Sequence, residues 1–179
     1  MAYSAAEYPT NLPIPIDLFV STKHAGLTRD DLGFADASGR IVFKVNRQSS
    51  KSSANKLVIV DATGKPVISL HRSDNGSWKG YRGDDQKDSI FTVRTDKSKT
   101  ELVVSLVNPA SELKVNGQPS MKSCTIYKGN DIVAQTSLMY KLCQLYVSRR
   151  KFRLTIFPGS VDHAVVAALI VIFFERRRK

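Results

Sequence analysis

Residues 164–174, AVVAALIVIFF, form an unbroken run without one polar side chain, and this run narrows the possible folds more than any other segment. Ser160 or Asp162 can cap a helix entering it, and Arg176, Arg177 and Arg178 suit the negative end of its dipole. A membrane span needs about 20 apolar residues to cross ~30 Å. A run of this length, rising ~1.5 Å per residue, covers only about half of that. A surface helix needs a polar face, and this one has none. The expectation is therefore a helix at about 161–175 enclosed by protein, with a peripheral hydrophobic anchor as the competing reading.

What encloses it is legible upstream. From residue 16 the chain reads as short β segments separated by turn chemistry. Segments 32–36 and 40–47 flank Ala37-Ser38-Gly39, and segments 56–61 and 66–72 flank Ala62-Thr63-Gly64. The two hairpins resemble each other, LGFADASGRIVFKV against LVIVDATGKPVISL. An Asp opens each turn and a Gly supplies positive φ near its end. A third hairpin is expected around Gly129-Asn130, and further strands at 77–82, 89–95, 101–107, 113–116, 144–148 and 151–157. Breakers every eight to twelve positions indicate a sandwich or barrel. A barrel of eight strands holds only its own side chains, whereas one of about twelve has room for a helix along its axis. The fold predicted is mainly β: an antiparallel barrel of about twelve strands around one apolar C-terminal helix. It forms a single domain at 15–179, preceded by a flexible arm at 1–14.

Charge and chemistry bound the function. Of 179 residues 42% are hydrophobic and 24% charged, which fits a globular domain. Lys and Arg outnumber Asp and Glu by 27 to 16, a net +11 that attracts polyanions. Cys124 and Cys143 make neither a zinc pattern nor a disulfide framework, so both are expected as small core hydrophobes in a reducing, intracellular and cytoplasmic setting. His24, His71 and His163 follow no metal-ligand spacing, and no phosphate-binding or nucleophile motif occurs. Asp30-Asp31 and Asp84-Asp85 are adjacent pairs, and neighbours on a strand point to opposite faces, which does not suit an acid–base pair. No enzyme, no metal and no cofactor is expected.

Four segments taken in order carry a resemblance that covers about residues 15–174: LVIVDATGKPVISL, SWKGYRGD, YKGNDIVAQ and TIFPGSVDHAVVAALIVIF. Together they resemble the plant LURP-one-related proteins. That resemblance implies the tubby C-terminal-like barrel, twelve strands around a central hydrophobic helix, shared with phospholipid scramblases. It also implies a part in plant defence and, through tubby domains, binding of phosphoinositides by basic residues on the barrel. None of tubby's headgroup-binding residues is carried over to a position of this chain. The ending ERRRK replaces the acidic calcium segment of scramblases, which argues against scrambling.

Basic residues are thus the candidate site. Arg149, Arg150, Lys151 and Arg153 crowd one expected hairpin turn, Lys44, Arg47 and Lys51 form a second group, and Lys97 with Lys99 a third. Each is also what a solvated turn looks like. Trp78, Tyr81 and Arg82 read as a ligand edge or as core packing. The expected partner is an anionic phospholipid such as a phosphoinositide, or a protein, with association at a membrane periphery. Nucleic acid is the second reading, from the same charge, and would show a steep salt dependence. A scramblase-like membrane activity is the third.

Overall fold

In the computed structural model of the protein, the described residues are 14–22, 27, 31–47, 56–96, 101–119, 122–140, 147–159 and 161–175, with side chains described outside 138–140 and 147–150. Twelve strands follow one another around a closed antiparallel barrel. They are β1 (Ile16–Ser21), β2 (Leu32–Ala35), β3 (Ile41–Arg47), β4 (Lys56–Asp61), β5 (Pro66–Arg72) and β6 (Trp78–Arg82), then β7 (Ser89–Thr95), β8 (Leu102–Leu106), β9 (Ser111–Gln118), β10 (Ser123–Lys128), β11 (Asp131–Tyr140) and β12 (Val147–Ile156). Closure comes from β1 pairing with β12, Ile16 opposite Ile156 and Val20 opposite Phe152.

The expected barrel and its enclosed helix are both present. Helix α1 (His163–Glu175) is buried at every position from Ala164 to Phe173. Thirteen residues span ~20 Å along a helix, about the height of a six-residue strand, so wall and helix match in length. Asp162 is the cap: its Oδ1 accepts the Ala164 N–H at 2.7 Å, and its C=O accepts the Val166 N–H at 3.1 Å. The helix meets side chains alternating inward from the strands, among them Leu18, Val20, Leu57, Ile59, Ile68, Leu70, Phe91, Val93, Leu113, Ile126 and Leu154. Gly80 makes room for one of them. A Cβ there would lie 2.4 Å from Phe91 Cζ, because the ring fills that space.

The hairpin signals map onto real turns. Asp36 Oδ1 accepts from the Ser38 N–H at 2.9 Å and the Arg40 N–H at 3.1 Å, and Asp61 Oδ1 does the same for Thr63 and Lys65. Gly39 and Gly64 follow with φ of 87° and 86°. The β5–β6 turn uses the same plan, Ser73 C=O accepting the Gly76 N–H and Asn75 Oδ1 the Ser77 N–H.

One expectation is corrected. Residues 149–153 are not a hairpin turn between two strands; they run through the middle of β12. A dense run of cations is what a solvated turn looks like, which makes this stretch read as one. Yet Phe152 and Leu154 are buried while Lys151 and Arg153 are exposed, the period-2 pattern of a strand with one face on the core. Cys124 lines the core, and burial pushes its thiol up to about 12. Cys143, Lys51, Lys97, Lys99, Arg176, Arg177, Arg178 and nearly all of the 1–14 arm lie outside the described residues.

Candidate functional site

The predicted basic residues divide between the two faces of the wall. Lys151 and Arg153 project from the outer face of β12, where Arg153 Nε donates to Ser137 Oγ at 3.3 Å. Lys44 sits on the outer face of β3 in the same register row as Lys151, separated from it by Ser21 and Gly33. Three strand spacings put the two backbones ~14 Å apart. Between them the wall is covered. A Cβ on Gly33 would lie 3.0 Å from both Leu27 methyl carbons, so Leu27 rests on that glycine.

Arg47 points the other way. It is opposite Leu57, on the inner face at the last position of β3, and its guanidinium pairs with Glu175 at the end of α1. At the same end of the helix, Lys122 Nζ stands 4.7 Å from the Phe174 ring centroid and 5.9 Å from that of Phe152. These contacts clasp the helix terminus to the wall. Arg47 therefore belongs to the clasp and not with Lys44. Arg149 and Arg150 lie in β12, with side chains outside the described set.

Trp78 is core, 7% exposed, with Arg72 stacked at 5.9 Å from its ring centroid. Tyr81 faces outward against His71, an arrangement the sequence reading did not single out. The alternation in Ile68-Ser69-Leu70-His71 signals that Ser69 and His71 share the outer face. Among the described residues no group of three potential metal ligands converges.

The alternating strand direction sorts the connecting segments into two sets along the sequence. Helix α1 starts at one end and finishes at the other. The strands whose ends lie where it finishes are linked in the sequence by 22–31, 48–55, 73–77, 96–101, 119–122 and 141–146, and 176–179 follow α1 in the sequence. By sequence those segments contain eleven Lys or Arg and five Asp or Glu. At the opposite end, 36–40, 62–65, 83–88, 107–110, 129–130 and 157–162 contain three Lys or Arg and five Asp. Of the eleven cations only Lys122 is among the described residues.

Two histidines tie stability to pH. Burial, and then the Lys56 ammonium, hold His71 below its ordinary value of 6.5, with Asp84 pulling the other way. Burial likewise lowers His163, against the pull of Asp162. A ring whose folded value lies below its unfolded value takes up its proton more readily when unfolded, so the unfolded chain binds more protons as pH falls. Stability holds above about 6.5 and declines as pH drops through it. Melting temperature followed from about pH 7.5 to 5 should show this decline, reduced in a His71→Gln/His163→Gln variant. An equal decline in that variant would assign the acid sensitivity to other groups.

The family model described as LURP-one-related matches residues 16–174, from the first strand to the last turn of α1. The chain belongs to the LURP-one-related family. It is 51% identical over 168 residues to protein LURP-one-related 7 of Arabidopsis thaliana, covering 90% of each chain. It is 30% identical over 181 residues to protein LURP-one-related 15 of the same plant, covering 93% of this chain and 82% of that one. A crystal structure of an Arabidopsis thaliana protein superposes with a TM-score of 0.67 at 28% identity, over 95% of each chain. The match thus extends over the closed barrel and the helix inside it, as the order of segments in the sequence implied. No helix among the described residues is long and apolar enough to cross a membrane.

Proposed function

We propose that this LURP-one-related domain is a non-enzymatic binding module that docks on anionic phospholipid headgroups through the basic end of its barrel, in the service of plant defence signalling. What supports this reading is the sequence: the segments linking strands at the end where α1 finishes, with 176–179, carry eleven Lys or Arg to five Asp or Glu, within a net charge of +11. Cations spread over a whole surface mainly keep a protein soluble, whereas cations gathered at one end give a net attraction with a preferred orientation. Lys44, Lys151 and Arg153 stand on the adjoining wall, on strands that run to that end, and extend the same face. With the apolar helix enclosed in the barrel, the docking surface is electrostatic, not inserted.

Each Lys or Arg close to an anionic bilayer contributes roughly 1 kcal/mol. Sedimentation with phosphoinositide-containing vesicles should weaken as salt shortens the screening length from ~10 Å toward ~3 Å. Neutralising Lys44, Lys151 and Arg153 together, each to Gln, should then lower the vesicle affinity about a hundredfold. Full binding by the triple variant would remove those three residues from the site. Equal binding to neutral vesicles, or binding indifferent to salt, would refute the electrostatic reading altogether. Duplex DNA captured with a steeper salt slope than vesicles would favour a nucleic acid instead.

A further inference from the structure

Three turns of the barrel share one device. Asp36 Oδ1 accepts from the N–H and Oγ–H of Ser38 at 2.9 and 2.6 Å. Asp61 Oδ1 accepts from the N–H and Oγ1–H of Thr63 at 2.9 and 2.6 Å. In the β5–β6 turn the acceptor is Asn75 Oδ1, which takes the N–H and Oγ–H of Ser77 at 3.0 and 2.7 Å. A neutral amide does there what carboxylates do at the other two turns. The residue that follows differs as well: Ala37 and Ala62 follow the aspartates, whereas Gly76 follows Asn75, with φ of 85°.

That pairing carries chemistry. The backbone nitrogen after an asparagine can close a ring on the side-chain carbonyl carbon, with least hindrance where the next residue lacks a Cβ. Asn75 is exposed, and nothing lies within 4 Å of where a Gly76 Cβ would stand, so the peptide between them has space to rotate. One backbone bond restrains it, Gly76 N–H to Ser73 C=O at 2.9 Å, in a surface turn where water can take its place. The two Ser77 donors converge on the oxygen that gathers negative charge as the carbon is attacked, the arrangement that stabilises such intermediates. The second Asn-Gly pair of the chain, Asn116-Gly117, is held differently. It lies inside β9, paired with Thr125 and Cys124 of β10. A Cβ on Gly117 would meet the Ser123 C=O oxygen at 2.2 Å, so the paired strand leaves that peptide no space to turn.

We propose that Asn75 is a covalent modification site, selected by the fold over Asn116 and activated by the Ser77 donors, at which the side-chain amide is lost. The Gly76 nitrogen gives its proton to solvent and bonds Asn75 Cγ. The Cγ–Nδ2 bond breaks, and ammonia leaves with a proton taken from water. Water then opens the resulting succinimide at either carbonyl. Opening at Cγ leaves an aspartate in place of Asn75, and opening at the backbone carbonyl leaves an isoaspartyl link, one methylene longer along the main chain. The aspartate suits the turn, because Asp36 and Asp61 already hold carboxylates in the same bonding. The turn stands at the end where α1 finishes, between Arg72 and Lys79, so the reaction sets a new negative charge close to two cations. The chemistry does not depend on the docking reading above.

The test keeps the folded protein in mildly alkaline buffer made with heavy-oxygen water, then digests it with trypsin. The two pairs fall on separate peptides, 73–79 and 115–122, and only amide lost before digestion carries the label. Peptide 73–79 should take up heavy oxygen and separate into aspartyl and isoaspartyl forms about tenfold faster than 115–122. In urea the two peptides should convert at similar rates, since the difference belongs to the fold. Ser77→Ala, which removes the hydroxyl donor, should slow the reaction at Asn75 several-fold. Equal rates at the two sites in the folded protein overturn the proposal, as does conversion of 115–122 alone or of neither peptide. A folded Ser77→Ala protein that converts undiminished overturns it as well.

Discussion

Ala168→Asp is expected to abolish the folded barrel at neutral pH. Ala168 is 0% exposed at the middle of a helix whose neighbours from Val166 to Ile170 are equally buried. The wall facing that helix is built of Leu, Val, Ile and Phe, which offer a carboxylate nothing to bond. The effective penalty for taking an unpaired ion out of water is several kcal/mol, and a domain of this size has only about 5–15 kcal/mol in total. The added volume makes matters worse, because a filled interior tolerates extra atoms poorly. Circular dichroism and urea unfolding at neutral pH should show an unfolded or molten chain, while Ala168→Ser, of similar size and uncharged, stays folded. The same measurement discriminates between the two sequence readings of the run. A membrane anchor would tolerate the charge and merely lose its attachment, and a stable, well-folded Ala168→Asp protein would show that the helix is not held inside the wall.

Gly117→Ala is expected to be the most damaging single methyl in the barrel. Gly117 lies near the end of β9 with φ of 149°, a region that side-chain-bearing residues rarely adopt. The added Cβ would also stand 2.2 Å from Ser123 C=O oxygen and 2.8 Å from Cys124 Cα, both backbone atoms of the paired strand. A flexible side chain could swing aside; a hydrogen-bonded strand cannot. Backbone strain of ~1–3 kcal/mol adds to an overpacking cost of ~1–3 kcal/mol. At roughly 2–4 °C per kcal/mol for a domain of this length, the melting temperature should fall by about 5 to 20 °C. Gly64→Ala supplies the control. Its φ of 86° carries comparable strain, but nothing lies within 4 Å of the added methyl, so its loss should be markedly smaller. Equal losses at the two sites would mean that strain alone matters and that β9 and β10 can part to admit the methyl.

Much of the architecture was legible because it depends on local rules repeated along the chain. The Asp-initiated turns at Asp36 and Asp61 announce themselves through side chains that bond their own backbone two and four residues on, with glycine where φ turns positive. Breakers every eight to twelve positions marked the strands before any pairing was known. β12 was misread for the opposite reason. Its cations outweighed the alternation of Phe152 and Leu154, which sets its register against Val20 and Leu18. Sequence identified Arg47 and Lys44 as near neighbours; two residues of strand and the end of a helix 128 positions later decided that only Lys44 faces outward.

What the sequence determined by itself is the enclosed helix. Eleven consecutive apolar side chains cannot be satisfied by a single contact face, and they are too short to span a bilayer, so a surrounding protein shell is the economical solution. The tertiary structure decided what that helix is held by and where it leaves function. Closing β1 on β12 completed the wall that holds α1 and brought Lys151 into one register row with Lys44. It also folded the 83–88 connection onto Lys56 and His71. Both results depend on contacts between residues distant in the chain, whose energies no local propensity encodes; the helix depended only on the hydrophobicity of one continuous run.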